Sequence, residues 1–183
     1  MFVCGIDPGL LGGIVILSAD FTVRLWLPMP TIAISAKRRR VDGVAVHRFL
    51  IGFPGGRLSG VVLETPIAMP GLRSGGLLES GIGYGAVLTA VRLTDAPLVT
   101  VAPKLWKAAM HVGSELDHIA RRAAEYWPGH VWYGPQGALL DGVCEAALLA
   151  VYGLQNGYFT TGQNRGPRIR REMASVPGTL LKA

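Results

Sequence analysis

The chain has 183 residues, half of them hydrophobic, with a formal net charge of +6 at pH 7 and a sequence pI near 9.7. This length predicts one domain with a substantial core, and the basic balance favours a polyanionic partner, nucleic acid above all. The sequence argues against a membrane span, because it has no run of about 18 apolar residues, and against a signal peptide, because its apolar N-terminus lacks a basic lead-in.

The first part of the chain predicts a meander of antiparallel strands. The three predicted strands cover residues 2–6, 12–18 and 22–28. Gly12-Gly13 and a turn at Asp20 separate them, which is typical of such a meander. The basic run KRRR at 37–40 lies between the third predicted strand and the first predicted helix, and Asp42 is placed to cap that helix, which ends near Ile51.

The rest of the chain alternates between helix and strand patterns. In chain order, these predict a strand at 60–64, a helix at 77–93, a strand at 97–103, helices at 104–111 and 114–127, and a last helix at 137–154. Three antiparallel strands followed by this alternation predict an α/β fold, with a mixed sheet and helices on both faces. Residues 158–183 predict a basic, mobile tail, because they show no apolar period.

The two cysteines carry little information about function. Cys4 and Cys144 form neither a CxxC pair nor a His/Cys cluster. This arrangement argues against a zinc site and favours two reduced thiols in the core of a cytoplasmic protein.

Four acidic residues stand in apolar settings. Asp7 ends the first predicted strand, Glu64 ends GVVLE, and Asp141 and Glu145 lie in LLDGVCEAALLAV. On a helix, residues four apart share a face, where like charges repel. Because no Lys or Arg lies within eight residues on either side of that pair, divalent cations are the other means of balancing the charge, and Mg²⁺ prefers oxygen ligands.

Each acid also has an ordinary explanation. An Asp at a strand end can cap a turn, a Glu there can be solvated, and an acidic pair four apart can lie on an exposed helix face. Taken together, however, the four carboxylates predict a site for two metal ions about 3.5–4 Å apart, which suits in-line attack on a phosphodiester. Asp7 would be the central ligand, and Pro8-Gly9 would turn the chain away from it.

Four segments resemble motifs of the RuvC family of Holliday-junction resolvases, which belong to the RNase H-like nuclease superfamily. They are GIDPGLLGG at 5–13, VVLETP at 61–66, VAPKLWKAAM at 101–110 and DGVCEAALLA at 141–150. They occur in the family's order and with fitting spacing over residues 1–157, and they look most like the phage-type branch.

The resemblance implies an RNase H-like domain over 1–157 and a catalytic, metal-binding set of Asp7, Glu64, Asp141 and Glu145. It implies a homodimeric endodeoxyribonuclease, in a bacterial or phage-infected cell, that uses two Mg²⁺ ions, or Mn²⁺ in their place, and no organic cofactor. Such an enzyme cuts two opposed strands of a four-way junction.

The family dimerises through the helix after the second acid. In this chain that helix contains the small residues of ESGIGYGAVLTAV. The alternative is that the helix packs on its own sheet.

The chain departs from the family at several positions. Its last acid is Glu145 rather than Asp, four residues after Asp141 rather than three. The family's lysine before the penultimate helix is missing, and Lys107 or Arg121 is the substitute. In place of the aromatic junction wedge, Ile67 and Met69 follow the second acid as an apolar wedge.

Basic side chains supply the predicted DNA contacts. These are Lys37, Arg38, Arg39, Arg40, Arg73, Lys104, Arg121 and Arg122. Such residues bind phosphates without reading sequence, and the alternative for KRRR is a solvated loop. Substrate choice depends on loops and dimer geometry. A related nuclease for RNA–DNA hybrids or flaps, and a non-catalytic junction-binding module, therefore remain alternative functions.

Overall fold

The computed structural model describes residues 1–66, 74–113, 116–130, 132–134 and 137–160. The strands are β1 (Phe2–Asp7), β2 (Gly13–Ser18), β3 (Val23–Pro28), β4 (Thr31–Ser35), β5 (Arg38–Val41), β6 (Gly60–Glu64) and β7 (Leu98–Val101). The helices are α1 (Gly43–Ile51), α2 (Ser74–Arg92), α3 (Pro103–Ala109), α4 (Leu116–Tyr126) and α5 (Asp141–Gln155). Within this part of the chain, no helix is long and apolar enough to cross a membrane.

The central sheet has five strands in the order β3-β2-β1-β6-β7. The strands β1, β2 and β3 pair antiparallel, whereas β6 is parallel to both β1 and β7. The predicted mixed sheet is therefore confirmed. Because β1 and β6 are parallel, with Ile6 opposite Leu63, both strands end at the same edge of the sheet.

Alternate residues of the strands face two different cores. Cys4, Ile6, Ile14 and Ile16 pack with buried residues of α1 and α2. Val3, Val15, Leu17 and Val62 pack with buried residues of α3, α4 and α5 on the other face. The expected helices on both faces are confirmed, and Cys4 and Cys144 are free and buried, as expected.

The segment between β3 and α1 was not predicted to contain strands. It forms a hairpin in which β4 pairs antiparallel with β5, so that KRRR contributes Arg38, Arg39 and Arg40 to a strand. The charged run has no apolar alternation of its own, and cross-strand pairing with TIAIS supplies its backbone hydrogen bonds. Asp42 then caps α1 as predicted, since its carboxylate accepts hydrogen bonds from the backbone N–H groups of Val44 and Ala45.

The last helix begins at Asp141 and not at 137. Before it, Leu139 forms a β-bridge with Tyr133, and the N–H of Leu140 donates to the carbonyl of Trp132. These pairings hold the preceding residues extended. Asp141 consequently lies in the first turn of α5, one turn before Glu145.

Glycines allow α5 to lie directly on the sheet. A Cβ atom at Gly5 in β1 would lie 2.0 Å from the carbonyl oxygen of Ala146. One at Gly142 would lie 2.2 Å from the carbonyl oxygen of Leu11, beside the bridge between Gly12 and Gly142. This close approach brings the start of α5 to the end of β1.

Candidate metal centre

Three carboxylates from three elements meet at the edge of the sheet where β1 and β6 end. Asp7 is the last residue of β1, Glu64 is the last residue of β6, and Glu145 lies in the second turn of α5. Each offers one oxygen, and these oxygens all lie within 4.8 Å of one another. Three of the four predicted carboxylates, which lie far apart in the sequence, therefore form one acidic cluster.

Asp7 is held by the turn that follows it. Its Oδ1 accepts a hydrogen bond of 3.1 Å from the backbone N–H of Gly9. Burial raises the pKa of Asp7 to about 6, and the negative charge of Glu145 adds to this effect, while the Gly9 hydrogen bond and Lys107 oppose it. The ionised form of Asp7 therefore lacks full compensation from the protein.

Glu64 receives a hydrogen bond from the core. The indole Nε1–H of Trp106, in α3, donates to Oε2 of Glu64 at 2.5 Å. Burial raises the pKa of Glu64 to about 7. The Trp106 hydrogen bond and Lys107 act against that rise, whereas the charges of Asp7 and Glu145 reinforce it.

Glu145 has a counter-charge that the local sequence did not reveal. Nζ of Lys107 lies 2.8 Å from Oε1 of Glu145, and the two side chains are 24% and 14% exposed. The ammonium also lies 5.3 Å from the centre of the Trp106 ring. Consecutive residues of α3 thus contact two of the three carboxylates.

Asp141 stands apart from this cluster. It is not among the three residues whose oxygens lie within 4.8 Å of one another in the described parts of the chain. Its Oδ1 is buried and has no hydrogen-bond partner among the described residues, and burial raises the pKa of its carboxyl.

The donor set fits a divalent cation. Once all three carboxylates are ionised, they face one ammonium, which leaves an excess of two negative charges in a partly buried cluster. Carboxylate oxygens are the ligands that Mg²⁺ and Mn²⁺ prefer. The buried, unpartnered Oδ1 of Asp141, one helical turn away, offers a further oxygen.

The hairpin β4–β5 carries four of the predicted DNA contacts. Lys37 is exposed at its turn. Arg38 and Arg40 both form ion pairs with Glu79 of α2, at 2.6 and 2.9 Å. Arg39 donates to the side chain and the carbonyl of Thr31. Three of the four basic residues therefore have partners within the protein.

The hairpin leaves the sheet on the side of the carboxylates. The last residue of β3, Pro28, lies opposite Gly13, and Gly13 lies opposite Asp7. The segment that follows, β4–β5, therefore starts at the edge of the sheet where the cluster lies.

The other predicted contacts are spread over two helices and a loop. Lys104 is exposed on α3, and Arg121 is exposed on α4. Arg122 forms an ion pair with Glu125 and lies over the Tyr126 ring. Lys107, one of the two candidates for the cation near the scissile phosphate, contacts the cluster through Glu145.

Some predicted features lie outside the described residues. These are Arg73, the wedge residues Ile67 and Met69, and residues 161–183 of the predicted tail.

Sequence reasoning missed the contacts of Trp106 and Glu79. Trp106 is fully buried, and its bond to Glu64 was not foreseen. A buried indole N–H usually finds a hydrogen-bond partner, and α3 follows the strand that pairs with β6. These two facts together could have indicated a bond between Trp106 and the end of β6. Glu79 gave no such signal, because its two arginine partners are about 40 residues away in the chain.

Comparison with solved structures relates this fold to RuvC of Thermus thermophilus. The structure of T. thermophilus RuvC in complex with Holliday junction substrate matches with a TM-score of 0.59 and 20% sequence identity, over 86% of this chain and 96% of that chain. A second T. thermophilus RuvC structure matches with a TM-score of 0.52 and 17% identity, over 86% and 97%. No protein-family model and no curated protein matches the chain. The predicted RuvC-like, RNase H-like architecture is confirmed as a fold.

Proposed function

We propose that the protein is a metal-dependent endonuclease that resolves four-way DNA junctions by paired, symmetric hydrolysis of phosphodiesters. The observation that carries this proposal is the cluster of Asp7 and Glu64, at the ends of β1 and β6, with Glu145 in the second turn of α5. A RuvC fold alone would not imply activity, since one fold serves many functions. Acidic residues at this edge of that fold supply the chemistry.

Asp7, Glu64 and Glu145 would hold the metal, with Asp141 as the fourth ligand. Two Mg²⁺ ions, or Mn²⁺ in their place, would supply charge stabilisation and a lower pKa for the attacking water. The ion pair holds Lys107 beside Glu145, which supports a role for its ammonium in contacting the scissile phosphate. Partial burial of the cluster strengthens each of these electrostatic contacts.

The hairpin β4–β5 would bind the DNA arms through phosphate contacts. Lys37 is exposed, and the ion pairs to Glu79 fix the position of Arg38 and Arg40 beside α2. Lys104, Arg121 and Arg122 would extend this surface on α3 and α4. Such contacts give affinity and orientation without sequence readout. Arg73 and the wedge residues Ile67 and Met69 remain predictions.

A homodimer would place two active sites on one junction. On α2, Gly81 and Gly85 have no described atom within 4 Å of an ideal Cβ, whereas Gly83 faces Val41. Leu78 is 64% exposed and Ile82 is 37% exposed. An apolar surface with small residues suits close approach of a second helix, which supports the family's mode of dimerisation for this chain.

A comparison of substrates tests the proposal. Purified protein and Mg²⁺ would be incubated with a labelled immobile four-way junction, a matched duplex, a flap and an RNA–DNA hybrid, with EDTA as a control. Paired nicks confined to the junction are the expected result. Cutting of the hybrid or the flap instead would assign a different nuclease activity, and binding of the junction without Mg²⁺-dependent cutting would indicate a binding module.

A further inference from the structure

Helix α3 brings a rigid hydrogen-bond donor to one of the three carboxylates. Its first residue, Pro103, follows β7 closely, and Val101 at the end of β7 lies opposite Glu64. The next turn of the chain therefore passes over the end of β6. Trp106 is fully buried there, and its indole Nε1–H donates to Oε2 of Glu64 at 2.5 Å.

In this contact the indole can act only as a hydrogen-bond donor. An indole offers one N–H and no acceptor, so Trp106 can orient the carboxylate without receiving a proton from it. With Oε2 held by the indole, rotation of the Glu64 carboxylate is restricted, and the direction of Oε1 is set. Because the ring is packed on all sides, the donor cannot easily move to another partner.

A second buried tryptophan shows that an indole in this protein can be satisfied without a carboxylate. Trp127 donates its Nε1–H to the backbone carbonyl of Phe21 at 2.7 Å. Trp106 instead donates to a member of the acidic cluster, and its neighbour Lys107 pairs with another member. The α3 helix thus fixes two of the three carboxylates from one side.

We propose that Trp106 is a positioning residue, which holds Glu64 in the orientation that binds a divalent cation. The inference rests on the metal centre proposed above. Hydrogen bonds to a ligating carboxylate typically change metal affinity or activity by about 10–100-fold when they are removed. Trp106 would therefore set metal affinity without touching the DNA or the metal.

The test compares Trp106→Phe with Trp127→Phe in the DNA-free protein. Each variant loses one indole N–H and keeps an aromatic ring, but only the first loses a contact with the cluster. Calorimetric titration with Mn²⁺ should show at least about tenfold weaker binding for Trp106→Phe and wild-type binding for Trp127→Phe. Melting temperatures, measured in parallel, should fall for both variants. Because only Trp106→Phe should also lose Mn²⁺ affinity, that loss cannot be attributed to lower stability.

A measurement on the wild-type chain covers the case in which Trp106→Phe does not fold. The four tryptophans give separate indole N–H resonances in a proton–nitrogen correlation spectrum. These can be assigned from Phe variants of the other three. Addition of Mg²⁺ should shift the Trp106 resonance, and the midpoint of this shift should coincide with the midpoint of metal binding. The Trp127 resonance should stay in place.

Two kinds of failure can be told apart. The positioning role alone would be overturned by either of two results. One is wild-type Mn²⁺ affinity in a folded Trp106→Phe variant, and the other is a Trp106 resonance that Mg²⁺ does not shift. Equal Mn²⁺ binding by wild type and Asp7→Asn would overturn the metal centre, and the positioning role with it. Failure to cut junctions while Mn²⁺ binds would count against the proposed function and leave the role of Trp106 supported.

Discussion

Nζ of Lys107 lies 2.8 Å from Oε1 of Glu145, and 38 residues separate the two in the chain. The ion pair joins α3 to α5 at the acidic cluster and places a positive charge where the proposed metal would bind. Lys107 therefore has two opposed effects in our account. It would compete with the cation for Glu145, and in the proposed function it would contact the phosphate.

Lys107→Met should separate these two effects. We expect tighter Mn²⁺ binding, because Glu145 loses its competing partner, together with single-turnover junction cleavage that is slower by about 10²–10³-fold, because a phosphate contact is lost. Lys104→Met is the matched control for Mn²⁺ binding, since Lys104 is exposed on the same helix. Unchanged Mn²⁺ affinity, measured by calorimetry, would show that Lys107 does not compete with the cation.

The raised pKa values predict a pH-dependent stability for the metal-free protein. Burial raises the pKa of Asp7 to about 6 and that of Glu64 to about 7, so the folded chain binds these protons more tightly than the unfolded chain. The resulting stabilisation is fully present below about pH 4 and is lost as the pH rises through the folded pKa values.

The melting temperature without metal should therefore fall between about pH 5 and pH 8, and added Mg²⁺ should raise it again at the higher pH. Asp7→Asn should flatten this fall, since it removes one of the two titrating carboxyls. An equally steep fall in Asp7→Asn would mean that other groups cause the dependence.

The close packing of α5 on the sheet predicts that a larger residue at Gly5 destabilises the protein. In Gly5→Ala, the new Cβ would lie 2.0 Å from the carbonyl oxygen of Ala146 and 2.6 Å from the backbone nitrogen of Ala150. Because these are backbone atoms, α5 has to shift, at a cost of about 1–3 kcal/mol. That shift moves Glu145 away from Asp7, so we expect weaker Mn²⁺ binding as well as a lower free energy of unfolding.

Gly75→Ala in α2 is the control for this substitution. Its Cβ would meet no described atom within 4 Å, and alanine favours helix by up to about 1 kcal/mol. Chemical denaturation and Mn²⁺ titration measure both effects. Equal stability of the two variants would contradict the close contact between β1 and α5.

The sequence predicted four carboxylates for one site, and the structure groups three of them, whose local patterns carried the signal. Asp7 and Glu64 each end an apolar strand pattern, and the carboxyl ends of parallel neighbours meet at one edge. Contacts between distant segments were not predictable in this way. The pairing of Glu145 with Lys107 depends on how α3 packs against α5, and reasoning confined to neighbours in the sequence found no counter-charge.

The hairpin β4–β5 shows the same limit for the fold. Its second strand consists mainly of arginines, which have no apolar alternation, so only pairing with the strand before it identifies it as β structure.

The start of α5 was placed four residues too early, at 137 rather than at Asp141. Apolar residues before that helix continue its pattern, but their backbone pairs with Trp132 and Tyr133.

The basic hairpin predicts a change in the salt dependence of DNA binding. Lys37→Gln should weaken binding to junction and duplex by the same factor and reduce the slope of log K against log salt by about 1, because one phosphate contact is lost. Arg57→Gln is the control, since Arg57 precedes the start of β6, at the end of that strand away from Glu64. A slope that Lys37→Gln leaves unchanged would remove the hairpin turn from the DNA interface.

The most direct test of the account measures cleavage and binding together in Asp7→Asn. With an immobile four-way junction and Mg²⁺, single-turnover cleavage should fall by on the order of 10²–10³-fold, since metal stabilisation of charge contributes several kcal/mol. Junction affinity should be retained, because phosphate contacts dominate it. Near-wild-type cleavage by Asp7→Asn would contradict a metal-dependent site built on Asp7, Glu64 and Glu145.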